Sequence, residues 1–287
     1  MDITILGSGG NAPTPMPTCD CRVCVEAREK GVPYARRGNS TFVHGIDLLV
    51  DTPELVWHSL GREGIDSVEY VFLSHFHADH TLGLRTLQAL GMEEPPLTDF
   101  VGDVPTLLMS PVTYERAIEA NTALKHVVET WADLELLEDG DSLTAEGVTL
   151  THLTAPIQEG GENTISALLL EDEHGTALLS PDENRHLDLD SLPALDLWVK
   201  EAGYFTETPA GNRLVTPVAE RDALAPELSF EESLAQVRAV EPERTVFTEL
   251  EELYRRSHDD YRALARTLTE REGLDIAFAH DGMMLSV

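Results

Sequence analysis

Lysine is nearly missing from this 287-residue chain: only Lys30, Lys125 and Lys200 occur, and Lys and Arg together number 20 against 52 Asp and Glu. A net charge of −32 leaves no Lys/Arg-rich arm to track a phosphate backbone. The acids are spread along the whole chain instead of forming a tail. Read as a surface, they suit a salty cytoplasm, where hydrated carboxylates keep a protein soluble and salt screens their repulsion; a halophilic host follows from that reading. The other reading is a surface that repels nucleic acid or recruits a basic partner. Cysteine is scarce too, with Cys19, Cys21 and Cys24 alone, an odd and clustered set that excludes a disulfide framework. No apolar run approaches the roughly 18 residues that span a bilayer, and the first residues, Met1-Asp2-Ile3-Thr4-Ile5, lack the basic start of a signal peptide. A cytoplasmic protein without a membrane partner is expected.

What is present is an ordinary globular composition, 42% hydrophobic, without solenoid-length repeats or low-complexity linkers. A single domain over 1–287 is therefore expected, made of two β-rich halves. Short apolar strands alternate with helical stretches, which indicates an α/β fold class. Expected strands include 2–6, 41–43, 47–50, 68–73, 106–109, 134–137, 148–153, 165–171, 176–179, 196–200 and 245–248, with 274–278 and 283–287 closing the fold. Expected helices cover 81–90, 112–125, 230–240, opened by the Ser229-Phe230-Glu231-Glu232 capping box, and 259–271. Residues 203–228, rich in Pro, Gly and charge, show the weakest periodicity and are expected to be the least ordered.

The densest chemical signal is Ser74-His75-Phe76-His77-Ala78-Asp79-His80, directly after the strand at 68–73. At the end of an extended segment, residues two apart face the same way, so His75 and His77 can grip one ion together. Asp79 and His80 fall at the turn into the next helix and can address a second. Imidazole plus carboxylate suits zinc, manganese or iron(II), and two such ions can activate water and clamp a phosphoryl or carbonyl oxygen.

This His-x-His-x-Asp-His motif resembles the metallo-β-lactamase superfamily, and the resemblance implies an αββα sandwich and a metal-dependent hydrolase. Gly7-Ser8-Gly9-Gly10 after the first strand matches that family's opening glycine turn. The resemblance further implies that Asp51 orients the metal histidines from behind, that Asp182 in Ser180-Pro181-Asp182 bridges two divalent metals (Zn or Mn), and that Asp79 is catalytic. Two further ligand histidines are usual in the family. For the first, His152 stands about three residues early, with Glu159 as the substitute. For the second, Glu249 occupies the position after the strand at 245–248. His186 is the residue to test as a general acid.

Cys19-Asp20-Cys21-Arg22-Val23-Cys24 has the spacing of three ligands around one zinc, within a loop at about 17–26 that needs a fourth ligand from elsewhere. Placed after the glycine turn, it resembles the phosphoribosyl cyclic phosphodiesterase (PhnP-type) branch. That resemblance implies a structural zinc whose fourth ligand is Glu252, with His258 as second choice. The implied reaction is hydrolysis of a small cyclic or nucleotide-like phosphodiester by a hydroxide held between the ions. The alternatives are a tRNA 3′-processing-like ribonuclease and a degenerate member that binds metal without turnover. The expected partner is a small phosphodiester substrate, with nucleic acid less favoured and a homodimer left open.

Overall fold

The computed structural model describes residues 1–93, 95 and 99–287. The chain opens with β1 (Asp2–Gly7), α1 (Arg22–Lys30), β2 (Ser40–Val43), β3 (Leu48–Val50), α2 (Val56–Glu63) and β4 (Tyr70–Leu73). Two short helices, α3 (Ala78–Thr81) and α4 (Thr86–Leu90), lead to β5 (Thr106–Met109), α5 (Pro111–Thr113), α6 (Thr122–Trp131) and β6 (Asp133–Leu136). A run of strands follows: β7 (Ser142–Ala145), β8 (Val148–Pro156), β9 (Thr164–Glu171), β10 (Thr176–Ser180) and β11 (Leu197–Glu201). Then come α7 (Pro217–Asp222), α8 (Phe230–Val240), β12 (Arg244–Thr248), α9 (His258–Glu272), β13 (Asp275–Phe278) and β14 (Met283–Ser286).

Among the described residues the strands form two seven-stranded sheets, ordered β14-β1-β2-β3-β4-β5-β6 and β13-β12-β11-β10-β9-β8-β7. Each sheet is half antiparallel and half parallel, the parallel runs being β3 to β6 and β10 to β13. Strand alternation sends one set of side chains between the sheets: Ile5, Val50 and Phe72 from the first meet Leu168, Leu179 and Val246 from the second. The outer face of the first sheet, with Leu49, Val71 and Leu107, packs on Leu60 of α2, Leu87 of α4 and Val128 of α6. The outer face of the second sheet, with Leu178, Trp198 and Phe247, packs on Leu234 of α8 and Tyr261 of α9. Helices on both outer faces of two stacked sheets make an αββα sandwich, which is the expected fold class. No helix among the described residues is long and apolar enough to cross a membrane.

Several boundaries differ from the sequence reading for local reasons. The helix expected over 81–90 is broken into α3 and α4, with Gly83 between them pressed on the backbone after β3; a Cβ there would meet the Pro53 carbonyl at 2.0 Å. The helix expected over 112–125 is also interrupted. A wide π-type turn at Tyr114–Glu119 ends it, and Asn121 accepts from the Ala123 and Leu124 amides to start α6 afresh. Helices α1, α2 and α7 and strand β7 were not expected. The Ser229 capping box and α8 appear as read, both reciprocal bonds being present.

Candidate metal centre

In both parallel runs the strands end at the same edge of the sandwich, where open α/β sheets bind ligands. Asp51 follows β3, His75 follows β4, Asp182 follows β10, Glu201 ends β11 and Glu249 follows β12. Asp51 and Glu249 both have left-handed backbone (φ +60° and +56°), a conformation that costs a non-glycine residue on the order of 1 kcal/mol and turns each side chain inward. Ser40 Oγ bonds to the Val50 and Asp51 carbonyls and secures the first of these turns.

The buried Asp51 carboxylate orients two histidines at once. It accepts from the Ser74 amide (2.8 Å), the Ser74 hydroxyl (2.8 Å) and His80 Nδ1 (2.9 Å). Because Ser74 Oγ spends its proton on Asp51, it accepts from His75 Nδ1 at 3.0 Å. Both histidines thereby hold Nε2 toward the centre, and the His75 ring lies 4.3–4.4 Å from the rings of His77 and His80.

Two sets of ligand atoms converge there: His75, His77 and Asp182 in one, Asp79, His80 and Glu249 in the other. One oxygen of Asp182 stands between them, 3.1 Å from His75 Nε2 and 3.5 Å from His80 Nε2. His80 Nε2 is also 3.6 Å from Asp79 and 3.8 Å from Glu249. Atoms bound at about 2.0–2.2 Å to one tetrahedral ion lie roughly 3.3–3.6 Å apart, so these separations fit shared ions. His75 Nε2, His80 Nε2 and Glu249 Oε1 are buried polar atoms without a hydrogen-bond partner, a costly state that coordination removes. The residues therefore fit a pair of divalent cations.

Charge crowding sets the protonation. Burial, with repulsion from Asp182, Asp79, Glu251 and Glu201, pushes the Glu249 carboxyl well up. Burial likewise raises Glu251 to about 7. Burial disfavours the His80 cation, but Asp51, Asp182 and Asp79 outweigh it and lift His80 to about 9. Burial also opposes the Asp182 charge, yet the adjacent His75 and His80 hold its carboxyl well below the usual range. The raised groups give a signed expectation for the metal-free protein. Each binds more protons folded than unfolded, so its contribution is present at low pH and is lost as pH rises through the folded value. The melting temperature of the metal-free protein is thus expected to rise on acidification from pH 9 to about 6.5. Lys200, which burial pulls down to about 8, opposes the trend as pH falls from 9 toward that value, and below 6.5 His258, held down to about 4 by burial and the neighbouring His280, opposes it too. Melting curves in a chelator, taken across this range, check the sign; a fall in stability between pH 9 and 6.5 contradicts it.

The cysteines form a second cluster. Glu252, fully buried, directs Oε1 to within 2.8 Å of Cys21 Sγ, 3.1 Å of Cys24 Sγ and 3.6 Å of Cys19 Sγ. Arg255 pairs with the same carboxylate and bonds to Cys19 Sγ. The Met16 amide points at Cys24 Sγ and the Cys24 amide at Cys21 Sγ, while burial and the Glu252 carboxylate push the Cys24 thiol up. The second Glu252 oxygen is buried without a partner. Three sulfurs and one oxygen at these spacings fit a closed tetrahedral zinc site. Cys21 is also the N-cap of α1, so the cysteine run is half loop and half helix start.

Three expected participants lie elsewhere. His152 is not at a strand end, because β8 continues to Pro156. It is buried between the sheets with both nitrogens engaged, Nδ1 to the Glu138 carbonyl (2.9 Å) and Nε2 to Ser166 Oγ (2.8 Å). It is a packing histidine, and its substitute Glu159 sits on an exposed loop outside both ligand sets. His258 starts α9 edge-on to Tyr34 and His280, away from the sulfurs, which Glu252 faces instead. His186 does not line the cavity and belongs to no ligand set.

The cavity over the centre measures about 810 Å³. Its lining includes Asp79, Asp182, Glu249, Glu201, Glu227 and Glu251, the last three missed by the sequence reading; Glu201 and Glu227 converge with Asp182 as a further group of ligand atoms. Glu201 was legible in principle, since Lys200-Glu201 ends an apolar strand with two charges that must be buried. Residues 203–228, expected to be the least ordered, supply much of the cavity wall. Gly10 of the glycine turn leaves space for the acids: a Cβ there would meet Glu249 at 2.1 Å and Glu251 at 2.7 Å.

Residues 45–248 match the family model of the β-lactamase superfamily domain. No curated protein matches the chain. Among solved structures, a diphosphatase from the PhnP family is 22% identical and superposes with a TM-score of 0.72, the match covering 100% of this chain and 97% of that one. Zn(2+)-bound PqqB from Methylobacterium extorquens is 17% identical with a TM-score of 0.71, covering 100% of each chain. The short form of human tRNase Z is 14% identical with a TM-score of 0.62, covering 100% and 99%. At these identities the structures establish a shared fold.

Proposed function

The chain belongs to the β-lactamase superfamily, a family of metal-dependent hydrolases, and from that premise we propose that it hydrolyses a small phosphodiester at the centre between β4, β10 and β12. The observation that carries the reading is the Asp182 oxygen placed between the two histidine sets. His75, His77 and Asp182 would hold one divalent ion, and Asp79, His80 and Glu249 the other. Such a pair supplies Lewis-acid activation of water and neutralises charge on the phosphoryl oxygens. Asp51 and Ser74 fix the tautomers of His75 and His80, so neither imidazole must reorient when a ligand binds. Glu249 in place of a neutral imidazole makes the centre harder and more anionic, which favours manganese-like ions. Glu252 and the three cysteines would hold a structural zinc that staples the opening loop to the segment carrying Glu249.

An RNA-processing activity fits less well, because the cavity lining includes six carboxylates and no lysine or arginine. The test is turnover of bis(4-nitrophenyl) phosphate with manganese in molar salt, comparing the wild type with His77→Ala. Turnover is expected, and loss of one ligand is expected to reduce it by about 10²-fold or more, given the several kcal/mol that a metal contributes. Turnover that survives His77→Ala unchanged overturns the assignment to this site. One zinc per chain, held by the cysteines, with no turnover indicates a binding-only protein.

A further inference from the structure

Arg36, in the segment just before β2, is only 2% exposed, yet among the described residues nothing accepts a hydrogen bond from its Nε, Nη1 or Nη2. Its guanidinium lies 4.9 Å from the centre of the Tyr261 ring of α9. The ring face offsets part of the charge but takes up none of the in-plane N–H groups. The Tyr261 hydroxyl, on a side chain 1% exposed, is also buried without a partner. An unused phenolic O–H thus belongs to the same ring that the unused guanidinium faces.

Asp281, the carboxylate whose field reaches Arg36, is already committed. Ser8 donates to one of its oxygens through amide and hydroxyl, and the Arg37 amide and the Arg62 guanidinium donate to the other. Asp281 and Arg62 cancel as a pair, which leaves a positive charge at Arg36 inside the fold. Burial disfavours that charge, and Tyr261 and Asp281 offset the penalty only in part. His258, at the start of the same helix, feels the excess: burial and the charges of His280, Arg36 and Arg262 hold it down to about 4.

A buried donor without an acceptor is costly, and a buried charge without a counter-charge more so. Water can take up the N–H and O–H groups but leaves the charge. A monovalent anion does both, accepting charge-assisted bonds from the guanidinium and a bond from the phenol. The burial of both side chains admits only something small, and one unpaired guanidinium balances one negative charge. We infer that Arg36 and Tyr261 form a buried site for a small monovalent inorganic anion, a halide, separate from both metal clusters.

The site has a structural place. Arg36 exchanges both backbone bonds with Thr14, in the loop between the glycine turn and the cysteines, while Tyr261 belongs to α9. An anion held by both side chains ties the opening segment to α9, alongside the Arg22–Asp260 pair and the Tyr34–Asp259 bond that span the same two segments.

The test melts the metal-loaded full chain in mixtures of sodium chloride and sodium gluconate at one fixed, molar sodium concentration. As chloride replaces gluconate, the melting temperature of the wild type is expected to rise saturably, by about 5 °C or more. In Arg36→Met the rise is expected to shrink to less than half, and Tyr261→Phe, which keeps the ring, is expected to lose part of it. General salt effects act on all three proteins alike and cancel in the comparison. Wild-type crystals grown in sodium bromide are expected to show an anomalous peak in contact with the Arg36 guanidinium and the Tyr261 hydroxyl. A chloride-dependent rise as large in Arg36→Met as in the wild type, or density at Arg36 without anomalous signal, overturns the inference and assigns the donors to water. If Arg36→Met does not fold, the bromide map decides.

Discussion

Glu249→Gln is expected to make the metal-free protein more stable at pH 8 and the metal-loaded protein nearly inactive. Glu249 is buried, one of its oxygens has no partner, and Asp79, Asp182, Glu201 and Glu251 surround it. In the absence of cations the site therefore favours an uncharged group there, and glutamine supplies one of the same size that also donates to the neighbouring carboxylates. Removing the cost of protonating this buried carboxyl on folding is expected to raise stability by on the order of 1–3 kcal/mol. Opposite signs for stability and activity separate a ligand from a structural residue, whose replacement would lower both. The expected loss of turnover is about 10²- to 10⁴-fold, corresponding to the several kcal/mol of a metal contact. Thermal melts in chelator and steady-state rates with manganese read the two effects. A variant that melts lower when metal-free, or that keeps its rate, contradicts the placement of Glu249.

Glu252→Ala is expected to do the reverse and cost stability first. The carboxylate is fully buried between three sulfurs and Arg255, and its amide bonds to the Ala12 carbonyl in the glycine-turn loop. Breaking a buried charged set by removing one partner costs about 3–5 kcal/mol. For a chain of this size that corresponds to a melting temperature lower by about 6–15 °C. One zinc per chain is expected to be released to a chromophoric chelator. Catalytic loss is expected to be secondary, through the loop that carries Glu249 three residues upstream. An unchanged melting temperature would show that the cysteine cluster does not staple the fold.

The histidine motif and the glycine turn were legible because their chemistry is local. Residues two apart at a strand end face one ion whatever the rest of the chain does, and a glycine run after a strand implies close approach, as Gly10 bears out. The strand order was legible only as an α/β alternation. Where the chain carried its polar groups across the sandwich, sequence was a poorer guide. His152 looked like a displaced ligand because a strand end cannot be fixed to within three residues from its composition, and those three residues of β8 put the ring between the sheets. The helix at 81–90 kept its apolar spacing but broke, because Gly83 must sit on the Pro53 carbonyl. Glu201, Glu227 and Glu251 went unread for a different reason. In a chain with 52 acids, no single carboxylate is conspicuous until the fold buries it. Residues 203–228 contribute Phe205, Leu214, Val215 and Leu224 to the cavity lining, and their weak periodicity hid side chains of which Phe205 and Leu214 also join the core over the second sheet.

The central claim is that Asp182 and Glu249, with the histidines at 75, 77 and 80 and with Asp79, hold two cations although two imidazoles usual in the family have no counterpart at the centre among the described residues. Its most direct test is metal content per chain by mass spectrometry after equilibration with manganese and zinc and removal of free ions. Three ions are expected in the wild type, two in Glu252→Ala and two in Glu249→Gln. A single ion in the wild type, lost with Glu252 and indifferent to Glu249, would contradict the account.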